Sequence, residues 1–258
     1  MYLEKLRLDE RVAVVTGGGQ GIGAACARAL GEAGAIVVVA ELLPERADAT
    51  VAALRKLGIN AEGVVLDVTR SAQVDEVATA IRNRHGRVDI LVNNAGVAQS
   101  NVPAEDTSDV HWRFHMEVNV DGVFWCCRAF GRHMLAKQSG SIVNIGSMSG
   151  YIVNKPQPQA FYNASKAAVH QLTKSLAAEW GKRGVRVNAV APTYIETPLT
   201  AFGIKEHPEM YATWVEMTPM GRVGQPDEIA SVVHFLASDA ASLLTGSIVL
   251  ADGGYTCW

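Results

Sequence analysis

The chain has 258 residues, of which 48% are hydrophobic and 19% charged, and its formal net charge is −3. An apolar share of this size excludes a disordered chain, and 24 glycines without a period exclude collagen. A slightly acidic balance with no cluster of Lys and Arg argues against nucleic acid as a partner. Because α/β folds often reach about 250 residues as one unit, we expect a single domain over residues 1–258.

The sequence carries no apolar run long enough for a membrane span, since the longest, Ala35 to Ala40, is far below the roughly 18–20 residues required. The first ten residues mix acids and bases and lack the apolar core of a secretory signal, which predicts a cytoplasmic protein without membrane partners. The cysteines form no CxxC pair, which suits neither a zinc site nor a disulfide framework. We expect all four to be buried thiols: Cys26, Cys126, Cys127 and Cys257.

Short β-branched runs alternate with longer segments of helical periodicity along most of the chain. The predicted strands are Val12–Thr16, Ala35–Ala40, Gly63–Asp67, Asp89–Asn93, Gly140–Gly146, Val185–Val190 and Ser247–Ala251. The predicted helices are Ile22–Ala33, Pro44–Leu57, Ser71–His85, Asp109–Lys137, Gln159–Gly181 and Pro226–Ser238. Strands that are apolar almost throughout are expected where helices cover both faces of a sheet, so the pattern predicts a doubly wound, parallel α/β sheet of seven strands.

One long segment, residues 194–224, stands outside this alternation and carries Met210 and Trp214 among polar residues. Ligands of open α/β sheets bind at the carboxyl ends of the strands, where this segment begins. We therefore expect it to form a substrate lid to which Trp214 contributes; a merely structural helical excursion is the alternative.

The first predicted strand leads into Thr16-Gly-Gly-Gly-Gln-Gly-Ile-Gly23, which opens a helix. Glycines let the backbone approach a pyrophosphate that the helix N-terminus attracts. Glu41 ends the second strand 20 positions after Gly21, a spacing that suits a carboxylate on the ribose hydroxyls of a dinucleotide. A 2′-phosphate about 4 Å from it would be opposed by roughly 4 kcal/mol at an effective dielectric near 20. Neither Gln20 nor Leu42 is basic, so NAD is predicted over NADP. The alternative for Glu41 is that it is merely a solvated acid near the start of a helix.

The fifth predicted helix carries Tyr162 and Lys166, whose i, i+4 spacing places both on one face. A cation beside a phenol favours the phenolate, which brings tyrosine closer to acting as a general base near neutral pH. An ordinary amphipathic helix is the alternative for this pair alone.

These motifs occur together with others in a fixed order: Thr16-Gly17 with Gly21 and Gly23, Asp67-Val68, Asn93-Asn-Ala-Gly96, Asn119, Ser147, Tyr162 with Lys166, Pro192, Thr197 and Asp252-Gly253-Gly254. In this the chain resembles the short-chain dehydrogenase/reductase family over nearly its whole length, which implies a Rossmann-type fold. The resemblance implies that Tyr162 is the acid/base and that Ser147 bonds the substrate oxygen. It further implies that Lys166 lowers the tyrosine pKa and binds the nicotinamide ribose, and that Asn119 holds a water of the proton relay.

The resemblance also implies a set of cofactor-binding residues: Gly17, Gln20, Gly21, Ile22, Gly23, Glu41, Asp67, Val68, Asn93, Ala95, Gly96, Tyr162, Lys166, Pro192, Ile195 and Thr197. The chain departs from the family at Thr193, where glycine is usual, and in having 15 positions from Ser147 to Tyr162. The extra length falls in residues 154–159. Together with the preceding turn it offers polar groups that could bind several hydroxyls of a polyol: Ser149, Asn154, Gln157 and Gln159.

A group within the family, the bacterial galactitol and related sugar-alcohol dehydrogenases, is similar in three further segments: Gly146–Asn154, Met217–Arg222 and Asp252–Trp258. This resemblance implies a homotetramer with the fourth and fifth helices in its interface. It is compatible with a structural magnesium near the C-terminus, and no catalytic metal is expected.

We therefore predict an NAD-dependent oxidoreductase that interconverts a secondary alcohol, in particular a sugar alcohol, and its ketone. One alternative is a 3-oxoacyl-thioester reductase, which the apolar lid residues would suit. An alternative of another class is a catalytically silent NAD-binding protein.

Overall fold

The computed structural model describes the backbone of residues 1–258 and the side chains of residues 1–201 and 205–258. Seven strands form one parallel sheet in the order β3-β2-β1-β4-β5-β6-β7. The strands are β1 Val12–Thr16, β2 Ile36–Glu41, β3 Ala61–Val65, β4 Ile90–Asn93, β5 Gly140–Ile145, β6 Val185–Pro192 and β7 Ile248–Ala251. The predicted doubly wound α/β class is confirmed. Strand β3 lies two residues earlier than predicted, and Ala61 alone among its residues is buried, because β3 forms an edge of the sheet.

The described backbone forms nine helices of α type: α1 Gly21–Glu32, α2 Pro44–Lys56, α3 Ser71–His85, α4 Asp109–Met116, α5 Gly122–Lys137, α6 Ala160–Trp180, α7 Ala201–Glu206, α8 Pro208–Met217 and α9 Pro226–Ala237. Successive side chains of β1 enter opposite layers. Ala13 and Val15 pack with α1, α2 and α9, whereas Val12 and Val14 pack with α3, α5 and α6. This two-sided burial is why the strands have no polar alternation.

The predicted helix Asp109–Lys137 is helical along its whole length, but its middle is not α-helical. The chain forms α4, then a π-helical segment over Glu117–Asp121, then α5. The π segment carries the buried Asn119. It also brings Gly122 so close to Val68 that an added Cβ atom would lie 2.7 Å from a methyl group of Val68. Such local widening of a helix commonly accompanies a functional site.

Residues 194–224 leave the carboxyl end of β6 and fold into the two short helices α7 and α8. A parallel bridge between Ile195 and Gly224 closes the base of this segment. Met210 and Trp214 are buried against Tyr194 and Tyr255 in a separate apolar cluster. The side chains of residues 202–204, within the predicted lid, lie outside the described part of the chain.

The opposite edge of the sheet, where the strands begin, holds a buried carboxylate. Asp89 is 6% exposed and accepts hydrogen bonds from the backbone N–H of Val12 at 2.9 Å, from Arg87 at 2.6 and 2.8 Å, and from the Lys137 Nζ atom at 2.7 Å. Burial alone would raise the pKa of Asp89, but these hydrogen bonds hold it below its usual value. We call this group the Asp89 cluster.

The cysteine prediction is confirmed for three residues and wrong for one. Cys26, Cys126 and Cys127 are buried, whereas Cys257 is exposed next to the C-terminal residue. Burial raises the pKa of both the Cys26 and Cys127 thiols to about 12. No helix in the described part of the chain is long and apolar enough to cross a membrane.

Candidate active site

Two cavities meet at the carboxyl ends of the central strands. One, of about 380 Å³, surrounds Tyr162, and the other, of about 320 Å³, surrounds Glu41; we call them the Tyr162 cavity and the Glu41 cavity. They share part of their lining: Ile22, Asn94, Gly96, Val97, Thr197 and Leu199. The two therefore form one continuous groove across the centre of the sheet, at the crevice where such folds bind ligands.

The glycine-rich turn after β1 forms one end of this groove. Gly17 and Gly21 adopt φ values of +59° and +53°, which residues other than glycine rarely adopt. A Cβ atom on Gly23 would collide with the carbonyl oxygen of Gly17. Asn94 holds the turn by donating from Nδ2 to the carbonyl oxygens of Thr16 and Gly17, at 3.0 and 2.9 Å. The turn thus presents bare backbone and the N-terminus of α1 to the Glu41 cavity, which suits a bound pyrophosphate.

The side chain of Glu41 is 7% exposed and lines the cavity named after it. Oε2 accepts a hydrogen bond from the backbone N–H of Gly19 at 3.1 Å, and Oε1 accepts from those of Leu42 and Leu43 at 3.0 and 3.4 Å. The alternative of a merely solvated acid is wrong, because the carboxylate is buried and held by three N–H groups. It stands in the groove as a fixed acceptor, with Arg46 on the same lining.

The predicted cofactor-binding residues fall into three groups. The Glu41 cavity is lined by Gly17, Gln20, Gly21, Ile22, Glu41, Asp67, Val68, Ala95, Gly96 and Thr197. The Tyr162 cavity is lined by Tyr162, Lys166, Pro192 and Ile195, with Ile22, Gly96 and Thr197 shared. Two residues line neither cavity: Gly23, which packs the turn, and Asn93, whose Nδ2 atom donates to Asn144 Oδ1 at 2.8 Å and to Cys127 Sγ at 3.1 Å.

Tyr162 and Lys166 face the Tyr162 cavity from consecutive turns of α6. Lys166 Nζ lies 5.7 Å from the centre of the Tyr162 ring and donates a hydrogen bond to the carbonyl oxygen of Ile145 at 2.9 Å. Burial lowers the pKa of Lys166 to about 8. Burial also raises the pKa of Tyr162, and the Ser147 hydroxyl opposes that rise. In the chain alone the pKa of Tyr162 therefore lies above its usual value, so a net lowering by Lys166 stays a prediction for the enzyme with its ligands bound.

Ser147 follows β5 and is 7% exposed on the same cavity. Its Oγ atom donates to Ser149 Oγ at 3.0 Å and accepts from the Ser149 N–H at 3.1 Å. The ring of His170 lies behind this turn, with Nε2 at 3.5 Å from the Ser147 N–H nitrogen. Ser147 is thus held at the surface of the cavity with its hydroxyl near Tyr162.

Asn119 is completely buried and uses its whole amide group within the protein. Nδ2 donates to the Val97 carbonyl oxygen and to Ser165 Oγ, both at 3.0 Å, and Oδ1 accepts from the Val97 N–H at 2.9 Å. The side chain of Asn119 therefore ties the π segment to the loop after β4 and to α6.

The residues predicted to contact substrate, Ser149, Asn154, Gln159 and Trp214, all line the Tyr162 cavity. Asn154 Nδ2 and Gln157 Nε2 donate to the Tyr194 hydroxyl at 3.0 and 2.9 Å, and Trp214 Nε1 donates to Gln157 Oε1 at 3.1 Å. Tyr194 and Trp214 stack with ring centres 3.9 Å apart. These side chains thus bond to one another and join residues 154–159 to the segment beginning at Tyr194.

Sequence reasoning missed Asn94, which lines both cavities, and His115, which lines neither of them but contacts the loop that does. Asn94 stands in the same Asn-Asn-Ala-Gly motif as Asn93 and could have been found there. His115 is buried beneath the loop after β4, and its sequence position at one turn from Asn119 gave no signal. Among the side chains that the structure describes, no group of three or more His, Cys, Asp or Glu residues is placed to hold a metal ion.

Comparison with known proteins finds similarity over the full length of the chain. Residues 17–256 match the family model described as enoyl-(acyl carrier protein) reductase. Galactitol 2-dehydrogenase of Rhizobium johnstonii is 56% identical over 258 residues, covering 100% of this chain and 99% of that protein. The L-tagatose-forming galactitol 2-dehydrogenase of Cereibacter sphaeroides is 51% identical with the same coverage.

Solved structures agree with these sequence relatives. The crystal structure of gox2181 superposes with a TM-score of 0.99 at 57% identity, covering 100% of both chains. A gluconate 5-dehydrogenase from Burkholderia cenocepacia, solved with NADP and tartrate, superposes with a TM-score of 0.95 at 38% identity, again covering 100% of both chains.

Proposed function

Because the chain belongs to the short-chain dehydrogenase/reductase family and is an oxidoreductase of CH–OH groups, we propose that it oxidises a sugar alcohol to the ketose with NAD, reversibly. The observation that carries this proposal is the convergence of Tyr162, Lys166 and Ser147 on one cavity that is continuous with the cavity of Glu41. The relatives at 56% and 51% identity, both named galactitol 2-dehydrogenases, support a polyol as substrate.

Glu41 is the basis for proposing NAD over NADP. A nicotinamide dinucleotide fits the groove, because the glycine turn leaves space for a pyrophosphate and Glu41 presents a carboxylate where an adenosine ribose would lie. A 2′-phosphate there would face like charge, opposed by roughly 4 kcal/mol at about 4 Å and an effective dielectric near 20. The NADP bound by the gluconate 5-dehydrogenase relative makes this preference the point most in need of measurement.

The chemistry follows from the side chains around Tyr162. When bound, the nicotinamide supplies the hydride acceptor in one direction and the donor in the other. Tyr162 removes the proton of the substrate hydroxyl, while the Ser147 hydroxyl turns from Ser149 Oγ and donates its hydrogen bond to the same substrate oxygen. Negative charge that develops on that oxygen meets donors already fixed in a buried site, an arrangement typically worth a few kcal/mol. The Lys166 ammonium favours the phenolate form of Tyr162 as the cavity fills.

The polar lining supports a substrate with several hydroxyl groups. Gln159 is 6% exposed on the cavity, and its Nε2 atom donates to Asn163 Oδ1 at 3.0 Å, which leaves its carbonyl oxygen to accept from a substrate hydroxyl. The Ser149 hydroxyl lies 3.0 Å from the Ser147 hydroxyl and offers a second polar group to the substrate. Residues 194–224 cover this side of the cavity, and we propose that they form the substrate lid of a single catalytic domain.

The assembly and surroundings of the enzyme are part of the same proposal. Trp112 and Phe124, on α4 and α5 within the predicted helix Asp109–Lys137, are 44% and 37% exposed, which supports a homotetramer that buries this part of the chain together with α6. Three buried free thiols suit the reducing cytoplasm. A structural magnesium near the C-terminus would be a property of that tetramer rather than of the reaction.

An assay of the purified protein with NAD and with NADP at mildly alkaline pH tests the proposal, using sugar alcohols of four to six carbons and simple diols. We expect NAD reduction with at least one sugar alcohol and a clear preference for NAD. Turnover of none of these alcohols, or a preference for NADP, would contradict the proposal. The Tyr162→Phe variant serves as the negative control.

A second candidate function is reduction of a 3-oxoacyl thioester. The matching family model is described as an acyl carrier protein reductase, and Met148, Met210 and Trp214 give the cavity an apolar side. An acetoacetyl thioester added to the same panel distinguishes the two. Reduction of the thioester without oxidation of any polyol would favour this candidate, and binding of NAD without any turnover would favour a silent NAD-binding protein.

A further inference from the structure

The loop that follows β4, residues 97–102, forms one wall of the Tyr162 cavity through Val97, Ala98, Gln99 and Ser100. We call it the cavity loop. It contains no helix or strand, so its backbone conformation depends on hydrogen bonds from its neighbours. Three such neighbours hold it.

Two of these anchors lie at the ends of the loop. At its start, the Asn119 amide bonds both the N–H and the carbonyl group of Val97. At its end, the N–H groups of Asn101 and Val102 donate to the carbonyl oxygen of Pro158, at 2.9 and 3.2 Å. The loop therefore bridges the catalytic π segment and the insertion that precedes α6.

The third anchor is His115, which holds the middle of the loop. The N–H of Gln99 donates to His115 Nε2 at 3.2 Å. On the other side of the ring, Nδ1 lies 2.9 Å from the carbonyl oxygen of His111. A carbonyl oxygen can only accept, so Nδ1 carries the proton and Nε2 is free to accept. The two contacts together fix the ring as a neutral imidazole with one defined tautomer.

The position of the ring is fixed by packing as well. His115 is completely buried, and its ring lies 4.4 Å from that of Phe161, the residue that precedes Tyr162. His111 packs on the same Phe161 ring at 4.3 Å, but its Nε2 atom is buried without a hydrogen-bond partner and so does not hold the cavity loop. One side chain thus connects the start of the catalytic helix with the wall of the substrate cavity.

We infer that His115 is a positioning residue that sets the substrate affinity of the enzyme by holding Gln99, and with it the cavity loop, against the catalytic helix. A side chain of similar shape without an acceptor would leave the Gln99 N–H without its partner, and the middle of the loop would move to find another. His115 touches neither substrate nor cofactor. The inference rests on the proposed function only in taking the Tyr162 cavity as the substrate site.

The decisive comparison is His115→Phe, which removes the acceptor, against His115→Gln, which restores an acceptor near the position of Nε2. We expect His115→Phe to raise the KM for the best polyol about tenfold while kcat and the Kd for NAD stay close to those of the wild type. His115→Gln should have a KM much closer to that of the wild type than to that of His115→Phe. His111→Phe, which alters the same aromatic cluster without touching the acceptor, is the matched control and should keep the wild-type KM.

Hydrogen exchange of the Gln99 amide gives a readout that does not depend on turnover. We expect the amide to be protected in the wild type, His115→Gln and His111→Phe, and to exchange rapidly in His115→Phe. His115→Leu removes the acceptor with a smaller side chain and serves if His115→Phe does not fold. An unchanged KM or a still protected Gln99 amide in the variant without an acceptor would overturn the inference. Absence of polyol turnover in the wild type would instead refute the proposed function, and hydrogen exchange would still decide the role of His115.

Discussion

Lys166 holds its Nζ atom 5.7 Å from the centre of the Tyr162 ring while donating to the carbonyl oxygen at the end of β5. The lysine is therefore anchored to the sheet, and the tyrosine one turn earlier on α6 is presented to the cavity at a fixed distance from it. Burial disfavours the charged form of both groups. Because the phenolate and the ammonium carry opposite charges, each group ionises more readily when the other is charged.

Replacing Tyr162 by Phe removes the acid/base and leaves the groove in place. We expect turnover to fall by about 10²–10⁴-fold, the usual contribution of a general acid or base, while NAD still binds. Initial rates measure the first quantity, and fluorescence titration of NAD measures the second. Activity close to that of the wild type would show that another group moves the proton.

Replacing Glu41 by Gln removes the charge that opposes a 2′-phosphate. We expect the ratio of kcat/KM for NAD to that for NADP to fall by about tenfold or more, since like charge in a partly buried site is worth on the order of a few kcal/mol. Glu45→Gln removes an equal charge from an exposed position outside the Glu41 cavity and should leave the ratio unchanged. Equal shifts in both variants would mean that overall charge, rather than the Glu41 carboxylate, sets the preference.

His170 predicts a specific pH dependence of stability. Burial, with help from Lys166 and Lys174, lowers the pKa of His170 to about 4, against an ordinary value near 6.5. Between these values the unfolded chain binds a proton that the folded chain does not, so the free energy of unfolding decreases as the pH falls from about 6.5 to about 4, by an amount on the order of 3 kcal/mol. Urea unfolding of the wild type and His170→Gln at several pH values isolates this contribution. Identical pH slopes for the two proteins would contradict it.

The cysteines differ in their accessibility to reagents. We expect a thiol-reactive dye to modify one cysteine of the native protein, Cys257, and all four after unfolding. The Cys257→Ser variant should give no rapid reaction in the native state. Rapid labelling of a second thiol would show that one of the two apolar layers opens readily.

Gln157 and Gln159 are two residues apart, yet their substitution should have different effects. Gln157→Leu leaves the Trp214 Nε1 group without a partner and removes one of the two amide groups that donate to the Tyr194 hydroxyl, and we expect a loss of about 1–3 kcal/mol in the free energy of unfolding. Gln159→Leu should raise the KM for a polyol with a smaller change in stability. Denaturant unfolding and steady-state kinetics on both variants check this. A reversed pattern would assign substrate binding to Gln157.

Much of the groove could be predicted from the sequence because its parts are local. A turn that needs positive φ angles requires glycine, and an i, i+4 pair faces one way on any helix, so the glycine turn and the Tyr162–Lys166 pair follow from spacing alone. The alternation of strands and helices follows equally well, because both faces of the strands are buried. Glu41 was found because it ends a strand.

Other parts could not be predicted because they depend on which neighbours meet in space. The sequence predicts that the amides of Asn154 and Gln157 bind substrate, but in the structure both amides donate to the Tyr194 hydroxyl. Asn93 and Asn94 are adjacent in sequence but have different partners. Asn93 donates to Asn144 on β5, whereas Asn94 donates to the glycine turn, and this difference depends on the three-dimensional structure. The π segment is only five residues long, so its hydrophobic pattern in the sequence cannot be distinguished from that of the helices on either side.

The Asp89 cluster stands where the strands begin, and both cavities stand where they end. With about 3.3 Å per residue in a parallel strand, Asp89, just before β4, and Asn93, at the end of β4, are roughly 13 Å apart, a distance over which substitutions usually act independently. Residues around the ligand can therefore be substituted while the Asp89 cluster continues to stabilise the fold. For directed evolution, the same separation recommends stabilising the end at Asp89 first and diversifying the cavity loop afterwards.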